Sequence, residues 1–222
     1  MKIKPKYIME SILSIPKTLY FNFRMLPLRK AIRLPFFISY RTQLGELQGN
    51  VSVPEAVHPF MVKIGIAGSE GVAAGAGYFS CGKGSDVIFQ GKTLLCQGTS
   101  VRCDSGKLTF GENFSANRNS FFSCSHEITF GRDVLIGFHV WIRDSDGHTI
   151  FHNGIKKESK RPVRIGDHVW ICSDVHILKG TVIGDNNVVA AGSYVWGEFR
   201  EQNCLLGGYP AGKLQDHIDW QK

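Results

Sequence analysis

Ile165-Gly-Asp-His-Val-Trp-Ile171-Cys-Ser-Asp-Val-His-Ile177-Leu-Lys-Gly-Thr-Val-Ile183-Gly-Asp-Asn-Asn-Val-Val189-Ala-Ala-Gly-Ser-Tyr-Val195 carries an aliphatic residue at every sixth position. A helix repeats every 3.6 residues and a single strand every 2, so neither produces this beat. A strand of about four residues followed by a two-residue corner does, and three such sides close a triangular coil of about eighteen residues. The repeated Ile and Val then stack along the axis as a core. Four places after each of them stand Val169, Val175, Thr181, Asn187 and Ser193, mostly small or β-branched, while Gly166, Gly184 and Ala190 follow directly.

The same beat runs upstream through Phe89, Leu95 and Val101, through Phe110, Ala116, Phe122 and Ile128, and through Phe130, Ile136 and Ile142. The two-residue offset between Ile128 and Phe130 marks an insertion at a corner. Together the runs span about residues 86–196, enough for five or six coils. Around them the chain divides into a basic leader at 1–50, a body at 51–213 with an excursion at 149–162, and a tail at 214–222.

The 222 residues are 43% hydrophobic and 20% charged, which is globular material for one large domain. No apolar run reaches the eighteen residues of a membrane span, and no secretory signal is legible. The six cysteines form no C-x-x-C pair, which fits free thiols in a reducing cytoplasm. The net charge of +7 suggests nucleic acid only until it is located: Met1 to Arg41 holds nine Lys or Arg against Glu10 alone, leaving the rest near neutral. No nucleic-acid partner is expected. In the leader, Ile8, Ile12, Ile15, Leu19, Phe23 and Leu26 recur at helical spacing among Lys17, Arg24, Arg29, Lys30 and Arg33. Two readings stand side by side: a helix packed on the body with its basic face in water, or a surface of residues 1–41 that rests on anionic membrane lipid.

The hexads from Ile165, then Val182-Ile-Gly-Asp-Asn-Asn-Val-Val-Ala-Ala-Gly-Ser, then Gly207-Gly-Tyr-Pro-Ala, with Ile142-Arg-Asp-Ser-Asp-Gly-His148 upstream, resemble the hexapeptide-repeat acyltransferases. The similarity covers about residues 86–213 and points to the branch holding galactoside, maltose, Nod-factor and capsular-polysaccharide O-acetyltransferases. It implies an all-β, left-handed parallel β-helix, a homotrimer, and acetyl-CoA bound between neighbouring subunits. Acetyl transfer from a thioester to a hydroxyl needs a base for the alcohol, donors for the oxyanion and a proton for the departing thiolate. One histidine can serve first and last. His148 is the candidate, with Asp146 or Asp144 fixing its tautomer; the plainer alternative is an acidic turn ending a strand.

By the same resemblance Trp170 walls the acceptor cleft, Asn117 and Asn119 contact the acceptor, and Ser173, Ala191, Gly192, Ser193 and Lys213 hold CoA. A packing tryptophan and corner asparagines are the bland readings of the first three. Cys172 replaces a small residue, Lys179 a frequent proline, and Gly212 shifts the register of Lys213. The excursion after His148 carries five basic residues suited to phosphates or an anionic saccharide, or is a solvated loop. His139, His168 and His176 are expected at corners or facing outward. The γ-class carbonic anhydrases share the fold but pair metal-binding histidines five residues apart, a spacing absent here, so no metal is expected. The expected function is transfer of acetyl to a sugar hydroxyl of a bacterial surface polysaccharide or its precursor, in the cytoplasm or at the inner face of the membrane. An antibiotic or amino-sugar acetyltransferase and a non-catalytic scaffold are the alternatives.

Overall fold

The computed structural model describes residues 5–69 and 71–221, with side chains from Met9 onward at the N-terminal end. Three short strands open the body: β1 (Phe36–Ile38), β2 (Gln43–Leu47) and β3 (Asn50–Ser52), each starting one side of a triangular coil. Parallel strands stack on each, giving sheets of nine, seven and seven strands; the ninth strand on side one, Ala211–Gln215, is antiparallel. The hexads fall in register. Ile171 pairs with Ile136 and Val189, Ile177 with Ile142 and Val195, and Ile165 with Phe130 and Ile183. Every hexad residue named above, from Phe89 to Val195, is buried. The core begins as a column of rings, in which Phe21 meets Phe36 and Phe79, Phe36 meets Phe89, and Phe89, Phe110 and Phe130 stack in turn. It then narrows to Ile165 and Ile183.

Corners explain the rest of the pattern. Between sides one and two, Gly98, Asn119, His139, Asp174 and Gly192 all have positive φ; between sides three and one, Asn113, Asp133, His168, Asn186 and Asn203 do. Asn, Asp and Gly bear that conformation most cheaply. The residue after each corner turns inward and is buried, including Thr181, Asn187 and Ser193. These polar members are satisfied locally: each donates to the carbonyl three residues back, Leu178, Gly184 and Ala190, at 2.7–3.1 Å. Gly184 lies against the next coil so closely that a Cβ there would meet the Arg200 carbonyl oxygen at 2.6 Å. The corner between sides two and three absorbs the insertions. The offset at Ile128 arises there, since Phe122 to Phe130 spans two residues more than the equivalent Ile177 to Ile183, and the same corner later releases 145–162.

The body starts earlier than residue 51. Phe36–Ser52 is already coil one, hidden from the six-residue beat because β2 pairs through a bulge. The tail also folds back: Leu214 and Gln215 belong to the antiparallel strand, and the Trp220 ring stacks on His168 at 4.2 Å.

The leader is helical over α1 (Pro5–Met25) and packs on the body, but through its polar residues and not through its apolar stripe. Ser14, Thr18 and Asn22 lie against the open edge of β1. The Tyr40 amide donates to Ser14 Oγ at 3.0 Å, that of Ile38 to Thr18 Oγ1 at 3.0 Å and that of Phe36 to Asn22 Oδ1 at 3.1 Å. Asn22 and Thr18 donate in return to the Phe36 and Ile38 carbonyls. Four helical residues rise about 6 Å and two strand residues about 6.6 Å, so the two periods march together. An edge strand without partners is costly, and these side chains supply them. Lys17 extends the cap to the Tyr40 and Thr42 carbonyls, both at 2.6 Å. Ile12, Ile15, Leu19 and Phe23 consequently face outward, while Leu26 is buried; the side chain of Ile8 lies outside the described residues.

Candidate active site

On side two, Cys81, Cys103 and Cys124 form an inward row, and Asp144 takes the next rung. Asp144 is fully buried, and its carboxylate accepts the Ser125 and His126 amides, both at 2.8 Å. Its own carbonyl accepts the Arg161 amide at 3.0 Å, closing the neck of the excursion. Within that neck the Asp146 amide donates to Ser159 O at 2.9 Å, and Ser145 bridges Lys160. The excursion continues as a small antiparallel hairpin, Phe151–His152 with Ile155–Lys156, whose Phe151 and Ile155 are exposed. Lys179, one coil on, reaches back to Asp146 Oδ2 at 2.5 Å and to the Glu158 carbonyl, pinning both arms.

His148 stands exposed on this anchored loop, beside Gly147 at φ 81°, and no hydrogen bond or ion pair holds its ring among the described residues. The expected orienting role of the two aspartates is not what the geometry displays. Asp144 is spent on backbone amides, and Asp146 on Lys179. Both shape the loop that carries His148. The sequence marked Lys179 only as the replacement of a frequent proline; its contact with Asp146 was hidden because the inserted loop breaks the constant offset between coils, and the signal for it is a cation stacked one coil beyond Asp144.

Asn117 and Asn119 sit at the corner of sides one and two, where Ser69, Ala73 and Gly75 cover them. Asn117 binds Ser69 through both amide atoms, and Asn119 donates to Ala73 O at 2.8 Å while accepting Gly75 N at 3.2 Å. Asn119 also lies 3.0 Å from His139 Nε2, and His139 Nδ1 lies 3.3 Å from Asp174. These amides are thus engaged in holding a loop. Trp170 opens its strand on side one, about a third exposed, with its ring 5.9 Å from Trp220. His148 leaves from the corner of sides two and three, so the three groups belong to different corners of the prism. A side of four residues spans about 13 Å, and no contact among the described residues joins them.

Among the residues assigned to CoA, Ser173, Ala191 and Gly192 follow one another up the corner of sides one and two, with the Gly192 amide on Ser173 O at 3.0 Å. Ser193 is different. It is buried, its hydroxyl donates to Ala190 O at 2.7 Å and accepts Gly208 N at 3.2 Å, so it braces the coil instead of meeting a ligand. Lys213 is likewise committed, to Glu201 at 2.6 Å and Asp216 at 3.0 Å, and these carboxylates hold its pKa above the ordinary lysine range. Glu201, Cys204 and Asp216 bring three possible metal-ligand atoms within 4.8 Å of one another, but both carboxylates already pair with the Lys213 ammonium. Burial pushes the Cys172 thiol up, which keeps it protonated and poorly nucleophilic near neutral pH. Cys96, at about 11, and Cys81, at about 12, are raised for the same reason.

Residues 162–195 match the family described as bacterial transferase hexapeptide (six repeats). Galactoside O-acetyltransferase of Escherichia coli K12 is 35% identical over 115 residues, which cover 50% of this chain and 55% of that protein. A putative lipopolysaccharide biosynthesis O-acetyl transferase of the same strain, WbbJ, is 32% identical over 127 residues, covering 51% of this chain and 64% of that one. The chain therefore spans between half and two thirds of these curated relatives. Among solved structures, the polySia-specific acetyltransferase NeuO superposes with a TM-score of 0.55 at 19% identity, over 82% of this chain and 72% of that one, which is a likeness of fold. The segment 162–195 is thus similar to the hexapeptide repeat of bacterial transferases, and the three-sided helix into which the chain folds is a left-handed parallel β-helix.

Proposed function

We propose that this protein is an acetyl-CoA-dependent O-acetyltransferase acting on a sugar hydroxyl of a bacterial surface polysaccharide or its precursor, with His148 as general base. The observation that carries this reading is the unpaired, exposed imidazole of His148 on a loop that Asp144, Asp146, Arg161 and Lys179 hold in place. The names of the relatives, both O-acetyltransferases, support the reaction. His148 removes the hydroxyl proton as the oxygen attacks the thioester carbonyl carbon. The tetrahedral oxyanion is held by backbone N–H groups, the C–S bond breaks, and His148 returns its proton to the CoA thiolate. No acyl-enzyme is needed, consistent with the raised thiol pKa of Cys172.

The active unit in this reading is a homotrimer. His148, Trp170 and the Asn117–Asn119 pair point from different corners of the prism, on successive coils, so they meet only where the corner of one copy faces the corner of another. The pantetheine arm lies along Ser173, Ala191 and Gly192, whose small side chains admit it to the backbone. Asn117 and Asn119 reach an acceptor when Ser69, Ala73 and Gly75 release their amides. The test is thiol release from acetyl-CoA with a panel of mono- and oligosaccharides, lipid-linked sugars and amino-sugar fragments. Saccharide-dependent release is expected from wild type and about a thousandfold less from His148→Ala; wild-type turnover by that variant would overturn the mechanism.

A further inference from the structure

Cap residues occupy only one face of α1. Because Ser14, Thr18, Phe21 and Asn22 lie against the mouth of coil one, the opposite face points along the axis of the β-helix and away from it. That face is apolar. Ile12, Leu13, Ile15, Leu19, Tyr20 and Phe23 occupy an arc of about 160° at the helical angle of 100° per residue, and each is 40–60% exposed. Past Pro27 the surface continues in Leu28 and Ile32, also exposed. A contiguous patch of this kind marks an interaction surface. Its border is cationic: Arg24 and Arg33 are exposed and have no carboxylate partner among the described residues, in a stretch with nine Lys or Arg and one acid between Met1 and Arg41.

The occupant must therefore accept bulky apolar groups to a shallow depth and carry negative charge beside them. An anionic bilayer surface does both. A second copy fits less well: copies packed side by side, with their axes parallel, leave this end face uncovered, and end-to-end contact would press two basic segments together. No described helix is long and apolar enough to cross a membrane, which agrees with a helix lying in the interface plane. We propose that the outward face of α1 docks the protein on membranes containing anionic phospholipid, with Leu19 and Phe23 inserted at head-group depth and Arg24 and Arg33 among the phosphates. The helix itself needs no acetyl transfer to do this; in the trimer inferred above, three such faces would lie at one end and bind together.

Flotation of the full chain with vesicles tests it separately from the enzyme reading. Wild type should float with phosphatidylcholine vesicles that contain phosphatidylglycerol, and about tenfold less with phosphatidylcholine alone or at high salt. Leu19→Glu with Phe23→Glu should cut binding about a hundredfold, and Arg24→Glu with Arg33→Glu about tenfold. Both double variants alter exposed side chains, so circular dichroism, melting temperature and acetyl transfer to a soluble acceptor should stay as in wild type. Failure of folded wild type to float with anionic vesicles would overturn the proposal, as would unchanged flotation of the Leu19/Phe23 variant. A fall in assembly size on substituting Leu19 and Phe23, with no vesicle binding by wild type, would also overturn it and identify a second copy as the occupant.

Discussion

Lys179 ties the loop of His148 to the next coil, and its contacts define what its loss should do. The ammonium binds Asp146 on one arm and the Glu158 carbonyl on the other, across a neck that also depends on Asp144. Lys179→Met keeps the bulk and removes the charge, so the coil should keep its stability while the loop loosens. A residue that only positions the base should lower kcat about ten- to a hundredfold, leave the KM for acetyl-CoA near wild type, and expose the 149–162 region to limited proteolysis. Nearby, His176 is stacked between Tyr194 at 4.3 Å and Trp141 at 5.8 Å, and burial followed by the adjacent Arg143 lowers its pKa below the ordinary 6.5. The unfolded chain therefore binds its proton at higher pH than the folded one. The stability that His176 contributes as a neutral ring is complete above about pH 6.5 and declines as pH falls below it. Urea midpoints measured across that range should drop on the acid side, and His176→Phe should remove that part of the drop; an unchanged acid slope in the variant would refute the assignment.

Elements in this chain are held by rows, and the rows explain both what could be read beforehand and what could not. The later coils were legible because their sides are near-identical six-residue units, in which Ile165, Ile171, Ile177, Ile183, Val189 and Val195 recur without interruption. Coil one was not, since β1 to β3 have unequal lengths and a bulge, and α1 was legible as a helix with its orientation left open. Apolar periodicity left open whether Ile12, Ile15, Leu19 and Phe23 face the body or a lipid surface; the unmet backbone groups of β1 draw Ser14, Thr18 and Asn22 inward and leave the apolar residues outside. At the site, the Asp-x-Asp-x-His segment revealed a loop with a free imidazole, but not that each aspartate serves the loop itself. Such contacts cross between coils whose offset the insertion has made irregular. The cap can be tested as an element. Asn22→Ala strands the N–H and C=O of Phe36, both buried, and should destabilise the protein by about 2–4 kcal/mol in urea unfolding. Thr18→Val, which removes one donor-acceptor group at Ile38, should cost about 1–2 kcal/mol. Near-neutral values for both would mean that water replaces these two cap groups and that α1 is held by Phe21, Ser14 and Lys17.

At the scale of the whole molecule, a parallel β-helix separates its corners permanently. Each side is a sheet, and adding coils lengthens the prism without bringing one edge closer to another. His148 projects from the edge shared by sides two and three, Trp170 begins side one, and Asn117 and Asn119 occupy the edge of sides one and two. In the function proposed above, a catalytic cleft assembled from these groups is shared, with the base from one copy and the indole or amides from its neighbour. This requirement separates the shared site from one contained in a single chain. His148→Ala and Trp170→Ala subunits, each inactive or nearly so alone, can be unfolded together and refolded as mixed trimers. With random mixing of equal amounts, about a quarter of the clefts would pair an intact His148 with an intact Trp170, so thiol release should recover to about a quarter of the wild-type rate. If both residues of a working cleft came from the same chain, no mixed assembly could contain an intact pair, and the mixture would stay at the sum of the two parent activities.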